Sequence, residues 1–166
     1  MLHHRRQFLK AGLSLAAAGC ALRLSAQELK RPLTLCNLHT DEVLTVRHRG
    51  PGAEEAMPRI ASLLRDPRTG EGHPIDAGLL DILSDVADSL GADPVFQVLS
   101  AYRSPSAGPM VRSLHTQGRA IDVRLAGTGS AELASRARAL ARGGVGYFGR
   151  ADFVHLDTGA PRSWRG

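Results

Sequence analysis

Three residues of this 166-residue chain have the types and the setting of a metal site. His115 and Asp122 lie in the stretch Ser113-Leu-His115-Thr-Gln-Gly118-Arg-Ala120-Ile-Asp122. His155 lies in Asp152-Phe-Val-His155-Leu-Asp157. Two neutral imidazoles and one carboxylate are the ligand set of a catalytic zinc ion that keeps one position open for water. Such a set leaves the ion net positive, so it can acidify water and polarise a carbonyl, as hydrolysis requires. A single His is more often a hydrogen-bonded structural residue than a ligand. What favours these is their placement on alternating strands beside small residues.

The elements that must position them can be read from the pattern. Arg119–Leu125 alternates, with Ile121 and Val123 pointing one way and Ala120 and Asp122 the other. Gly118 permits a sharp path between His115 and Asp122. His155 alternates with Val154 and Leu156 in the same manner. Asp152, three residues before His155, and Asp157, two after it, are the two candidates for a base. Asp152 is preferred because it lies near a loop, where a carboxylate can reach a water. Asp157 shares the His155 face and could instead orient a ligand imidazole. Arg103 follows the apolar strand Val95–Leu99, at a strand-to-loop position suited to holding an anionic or carbonyl oxygen.

The rest of the chain is scaffold. Leu33–Leu38 and Val43–His48 predict a hairpin around His39-Thr-Asp-Glu42. His39 and His48 are expected at the surface or in turn-stabilising hydrogen bonds, and His73, in a loop before Pro74, to be structural at most. Pro58 is expected near the start of a helix through Leu64. Asp76 is the expected N-cap of a helix to about Leu90, stopped by Gly91. Ser130 is expected to cap a helix through Arg142, and Gly144–Phe148 and Phe153–Asp157 to pair through a tight turn. Interleaved strands and helices with hairpins at both ends predict an α+β domain.

Composition narrows the function classes. The formal charge is +5, with 21 basic and 16 acidic residues. Arg5, Arg6, Lys10 and Arg23 fall in the first 26 residues, which carry no acid, so the remainder balances to +1. That gives no electrostatic case for nucleic acid. Residues 1–26 read as a targeting segment: Arg5-Arg6-Gln-Phe8-Leu9-Lys10 is a twin-arginine pattern, and the apolar run 11–22 is too short for a membrane span. Cleavage after Ala26 is expected, leaving a domain over 27–166; lipidation at Cys20 is the alternative. Cleavage would leave Cys36 alone, as core filler without a disulfide. Nothing in the sequence argues for assembly, so a monomer is expected.

The motif Ser113-x-His115-x-x-Gly118-x-Ala120-x-Asp122 with a later His155 resembles the signature of the LAS metallopeptidases. Within that group the chain is similar to the MepK-type murein endopeptidase branch. The likeness also covers Asn37-Leu-His39-Thr-x-Glu42, Leu64-Arg65-Asp66, Ser100–Pro105, Gly143–Tyr147 and Phe153–Gly159, nearly the whole chain from Leu33 to Trp164. The resemblance implies a hedgehog/DD-peptidase-like fold, with a central antiparallel sheet and flanking helices in one domain. It implies Zn²⁺ held by His115, Asp122 and His155. Arg103 matches the Arg that relatives set on the substrate carbonyl or transition state, and Asp152 stands where relatives often carry a Glu as base. The implied reaction is hydrolysis of an amide in peptidoglycan cross-links at the cell envelope. The alternatives are a D,D-carboxypeptidase acting on stem peptides, and a zinc- or peptidoglycan-binding module without catalysis.

Overall fold

The structure is a computed structural model that describes residues 31–91, 93–108 and 113–166. The expected targeting segment, with its Ala26 cleavage point and Cys20, lies outside the described residues. Alternation in Leu33–Asn37 (β1) and Val43–Val46 (β2) produces the expected antiparallel hairpin. Leu33 and Leu35 are buried, and Cys36 on the other face is half-buried.

The first helix, α1, runs Ala53–Leu63, starting well before the expected Pro58. Gly52 turns the chain in a left-handed conformation, and Glu54 and Glu55 then suit the positive end of the helix. Pro58 is accommodated inside, where it cannot donate to Glu54. Helix α2, Ala77–Leu90, has the expected ends: Asp76 Oδ1 accepts from the Gly78 N–H at 2.8 Å, and Gly91 closes it at φ 66°. Helix α3, Ser130–Ala139, is shorter than expected, and Gly129 rather than Ser130 holds the cap position, without a side-chain bond. The chain leaves α3 through Ala141 at φ 49° to reach the next strand.

The strands β3 (Val95–Ser100), β4 (Ala120–Leu125), β5 (Gly144–Phe148), β6 (Phe153–Asp157) and β7 (Arg162–Arg165) complete one seven-stranded sheet in the order β2-β1-β3-β4-β6-β5-β7. The central strands β3, β4, β6 and β5 pair antiparallel, as expected. The sheet as a whole is mixed, because β1 pairs parallel with β3 and β5 with β7. Helices α1 and α2 lie between β2 and β3 in the chain, and so long a connection lets β3 run parallel to β1. Strand β7 was not anticipated from the sequence.

Phe96, Val98, Ile121, Val123, Val154 and Leu156 share one buried core with Leu79, Leu80 and Leu83 of α2 and Leu133 of α3. Alternation then directs Asp122 and His155 to the opposite face. His48, expected at the surface or in a turn-stabilising hydrogen bond, is instead buried against a helix, with Nε2 2.8 Å from Asp81 Oδ1 on α2. Asp81 is buried in the helix and needs donors; His48 and Arg49 supply them. Among the described residues no helix is long and apolar enough to cross a membrane.

Candidate metal centre

The register of the sheet builds most of the site. Ser100 on β3 stands opposite Asp122 on β4, Asp122 opposite His155 on β6, His155 opposite Gly146 on β5, and Gly146 beside Trp164 on β7. These five residues form one transverse row across five strands. The β3–β4 ladder shifts between Val98 and Ser100, and this one-residue irregularity puts Ser100 rather than Leu99 across from Asp122.

His115 enters from outside the sheet. Ser113 caps a short 3-10 helix, Leu114–Gln117, and its Oγ accepts from the His115 N–H. Gly118 ends that helix at φ 64° and packs so closely on the Pro74 carbonyl that a Cβ would collide with it. The chain passes at once into β4. The Arg103 N–H donates to the His115 carbonyl at 3.2 Å, tying the helix to the end of β3.

Three donor atoms converge. His115 Nε2 lies 3.2 Å from His155 Nδ1 and 3.4 Å from Asp122 Oδ1, and His155 Nδ1 lies 2.8 Å from Asp122 Oδ1. Ligands about 2.0–2.1 Å from a tetrahedral zinc ion lie about 3.3 Å from one another, so the spacing fits. The outer nitrogen of each ring is already bonded. His115 Nδ1 donates to the Ala101 carbonyl at 2.6 Å, and His155 Nε2 donates to Asp157 Oδ2 at 3.0 Å. A carbonyl can only accept, so the His115 proton sits on Nδ1 and the Nε2 lone pair faces inward. Neutral His155, donating to the Asp157 carboxylate, likewise turns its Nδ1 lone pair inward. Two lone pairs and a carboxylate aimed at one point form a set that a divalent cation satisfies.

The electrostatics agree. His115 and Asp122 are buried and His155 is partly so. Burial disfavours the charged form of Asp122, yet the imidazoles of His115 and His155, which can donate to it only when their inner nitrogens are protonated, outweigh this and hold the carboxyl well below the usual carboxylate range. Burial also opposes a charged His155, but Asp122 and Asp157 overcome this and raise its pKa.

The other expected residues fall into two groups. Arg103 is at the site: Nη2 donates to Asp122 Oδ2 at 2.5 Å and Nε to Ser100 Oγ at 2.7 Å. Asp157 is fully buried behind His155. Its Oδ1 accepts from the Gly144 and Gly159 N–H groups and from Arg162 Nη1; its Oδ2 accepts from His155 and Arg162 Nη2. Burial opposes its charge, but these donors hold its pKa low. Asp152 is not brought into the converging group. It sits in a turn at φ 51°, and its exposed carboxylate faces Arg124 Nε at 3.8 Å.

Two residues of the site escaped the sequence reading. Trp164 lies over His155, ring centroids 5.3 Å apart, and Arg162 both stacks on Trp164 and holds Asp157. Each reaches across β5 where a side chain is missing: a Cβ at Gly144 would strike Asp157 and Arg162, and one at Gly146 would strike Trp164. Alternate glycines in a strand were the available signal, since they mark close approach by another group.

Comparison with known proteins gives the same bearing. The protein named "Peptidoglycan L,D-endopeptidase MepK" from Escherichia coli (strain K12) is 36% identical over 145 residues, covering 81% of this chain and 80% of that protein. A "Probable peptidoglycan L,D-endopeptidase MepK" from Haemophilus influenzae is 35% identical over 148 residues, covering 82% and 80%. No solved structure was found to match. The family described as "Peptidoglycan L,D-endopeptidase MepK" matches residues 25–164, a span that holds every residue of the site. With its converging His-Asp-His group inside that match, the chain belongs to the peptidoglycan L,D-endopeptidase MepK family.

Proposed function

We propose that this chain is a zinc-dependent endopeptidase that hydrolyses an amide bond in peptidoglycan cross-links. The observation that carries the reading is the convergence of His115 Nε2, Asp122 Oδ1 and His155 Nδ1, with the outer nitrogen of each ring held by Ala101 or Asp157. Zinc bound there would supply Lewis-acid chemistry, lowering the pKa of water toward about 7 and polarising the scissile carbonyl.

The chain's own residues do the rest. Asp157 fixes the tautomer and orientation of His155, and Arg162 neutralises Asp157 from behind. Asp157 has five donors on its two oxygens, so its role in this proposal is to position His155 rather than to carry protons. Arg103 steadies Asp122 with one nitrogen, and its remaining N–H edge is placed for the substrate carbonyl as charge develops there. Asp152, three residues before His155, is the proposed base, and it reaches the site only if the Gly149–Asp152 turn shifts from its pairing with Arg124. Loss of about 10²-fold or more in Asp152→Ala is the expected result, and full activity would move the role to another group.

The fold in this proposal is of the hedgehog/DD-peptidase type, with helices on one face of the sheet and the metal group on the other. The substrate implies the cell envelope, and residues 1–26 with Arg5-Arg6 are the proposed export signal. The direct test is zinc-loaded protein with cross-linked muropeptides, products read by mass spectrometry. Cleavage that chelator and His115→Ala both abolish is expected. Release of terminal D-alanine alone would point to a carboxypeptidase, and intact muropeptides throughout would overturn the reading.

A further inference from the structure

Three pieces of sequence meet beside the metal group, the last of them shared with it. They are His39 in the β1–β2 turn, Asp66–Arg68 after α1, and Ser100–Arg103 at the end of β3. Together they line a cavity of 480 Å³, whose polar walls are His39, Asp66, Arg68, Ser100, Tyr102 and Arg103. A cavity of this size takes a peptide side chain or terminus. It adjoins the metal group directly, since Arg103 holds Asp122 and Ser100 stands opposite it.

The walls are held from behind. His39 Nε2 bonds the Leu99 carbonyl at 2.7 Å, and the Tyr102 ring stacks on His73 at 4.9 Å. Asp66 is 1% exposed and accepts from the Ser104 N–H, the Arg68 N–H, and Arg68 Nε and Nη2. Glu71, at the far end of the same loop, is bonded by Ser104 and Ser106. Arg68 and Arg103 are therefore both pinned along one edge, by Asp66 and by Asp122 with Ser100. Each keeps Nη1 uncommitted by these bonds. Asp66, the one acid in the wall, is already matched by Arg68. Two pre-oriented guanidinium groups in one cavity suit a carboxylate on Arg68 beside the scissile carbonyl on Arg103, because little rotamer freedom is lost when each forms a charge-assisted bond.

We propose that this cavity receives a free carboxylate of the substrate peptide, next to the scissile amide, and that Arg68 is the residue that selects for it. The inference rests on the endopeptidase reading and names a requirement of the same site: an anionic peptide, with the negative group on the Arg68 side of the metal.

The test uses two cross-linked stem-peptide dimers, identical except that the carboxylates flanking the scissile amide are free in one and carboxamides in the other. The zinc-loaded chain and its Arg68→Gln and Arg68→Lys variants are assayed for kcat and KM. Binding is read separately by calorimetry, with a non-hydrolysable dimer of each kind. The unmodified chain is expected to favour the free carboxylate by about tenfold or more, chiefly in KM and Kd. Arg68→Gln is expected to bring that ratio to within about twofold of one, at unchanged zinc content. Arg68→Lys keeps a charge for Asp66 but loses the fork; it is expected to lose most of the preference, and decides the matter if the Gln variant does not fold. Equal binding of the two dimers by the unmodified chain, binding of neither, or a full ratio retained in a folded variant would each overturn the inference. Preferential binding without cleavage would sink the peptidase reading and leave the carboxylate site standing.

Discussion

His115 Nε2 and His155 Nδ1 face each other at 3.2 Å, and neither neutral ring has a proton to place between them. Facing lone pairs repel unless a cation lies between, so the pair and Asp122 are expected to bind one zinc ion per chain. His115→Ala and Asp122→Ala should each retain less than about a tenth of that zinc, read by elemental analysis after gel filtration. Trp164 is the single Trp and lies 5.3 Å from the His155 ring, so its fluorescence offers a second readout. Added Co²⁺ should quench it at one equivalent, and full quenching in His115→Ala would contradict this assignment.

In the proposed site Asp157 would act on the metal through His155. Replacing it with Asn leaves the size of the side chain but removes a charge that His155 and Arg162 both use. Zinc affinity should fall about 10- to 100-fold, the usual cost of losing such a partner. Competition with a chelating dye measures it; an unchanged affinity would reduce Asp157 to a packing role.

Gly118 links the His115 helix to β4 at φ 64°, against the Pro74 carbonyl. Ala there meets both an unfavourable backbone conformation and backbone atoms that cannot move aside. Gly118→Ala should cost at least about 2 kcal/mol, measured by urea unfolding. A cost near zero would mean that the loop His73–Pro74 yields easily.

Asp66 should contribute to acid stability. The Arg68 side chain beside it is the main cause of a pKa brought down from 3.8 to about 2, against the opposing effect of burial. The unfolded chain takes up this proton near pH 3.8 and the folded chain only near 2, so the stabilisation is complete above about pH 4 and is lost as pH falls through about 2. Its size is about 2 kcal/mol. Asp66→Asn should flatten that part of the stability curve, checked by denaturation between pH 5 and pH 2.

Read alone, the sequence determined the types of the candidate ligands and the small residues beside them, because both are local. Period-two alternation in 120–125 and 153–157 turned Asp122 and His155 away from the core, and Asp76 and Gly91 marked the ends of α2 by their own backbone and side-chain preferences. What only the tertiary structure decided depends on register between distant strands. The irregularity after Val98 chose Ser100 as the neighbour of Asp122, and the β4–β6 pairing put that carboxylate directly opposite His155. The Arg162-Ser-Trp-Arg165 strand is too short and too charged to show a period, so Arg162 and Trp164 became part of the site only through its pairing with β5. Asp152 and Asp157 were both candidates for the base in sequence, Asp152 preferred for its place near a loop and Asp157 able instead to orient His155. Spacing gave Asp157 its shared face with His155, but its burial among five donors, and the exposure of Asp152 beside Arg124, were set by long-range packing.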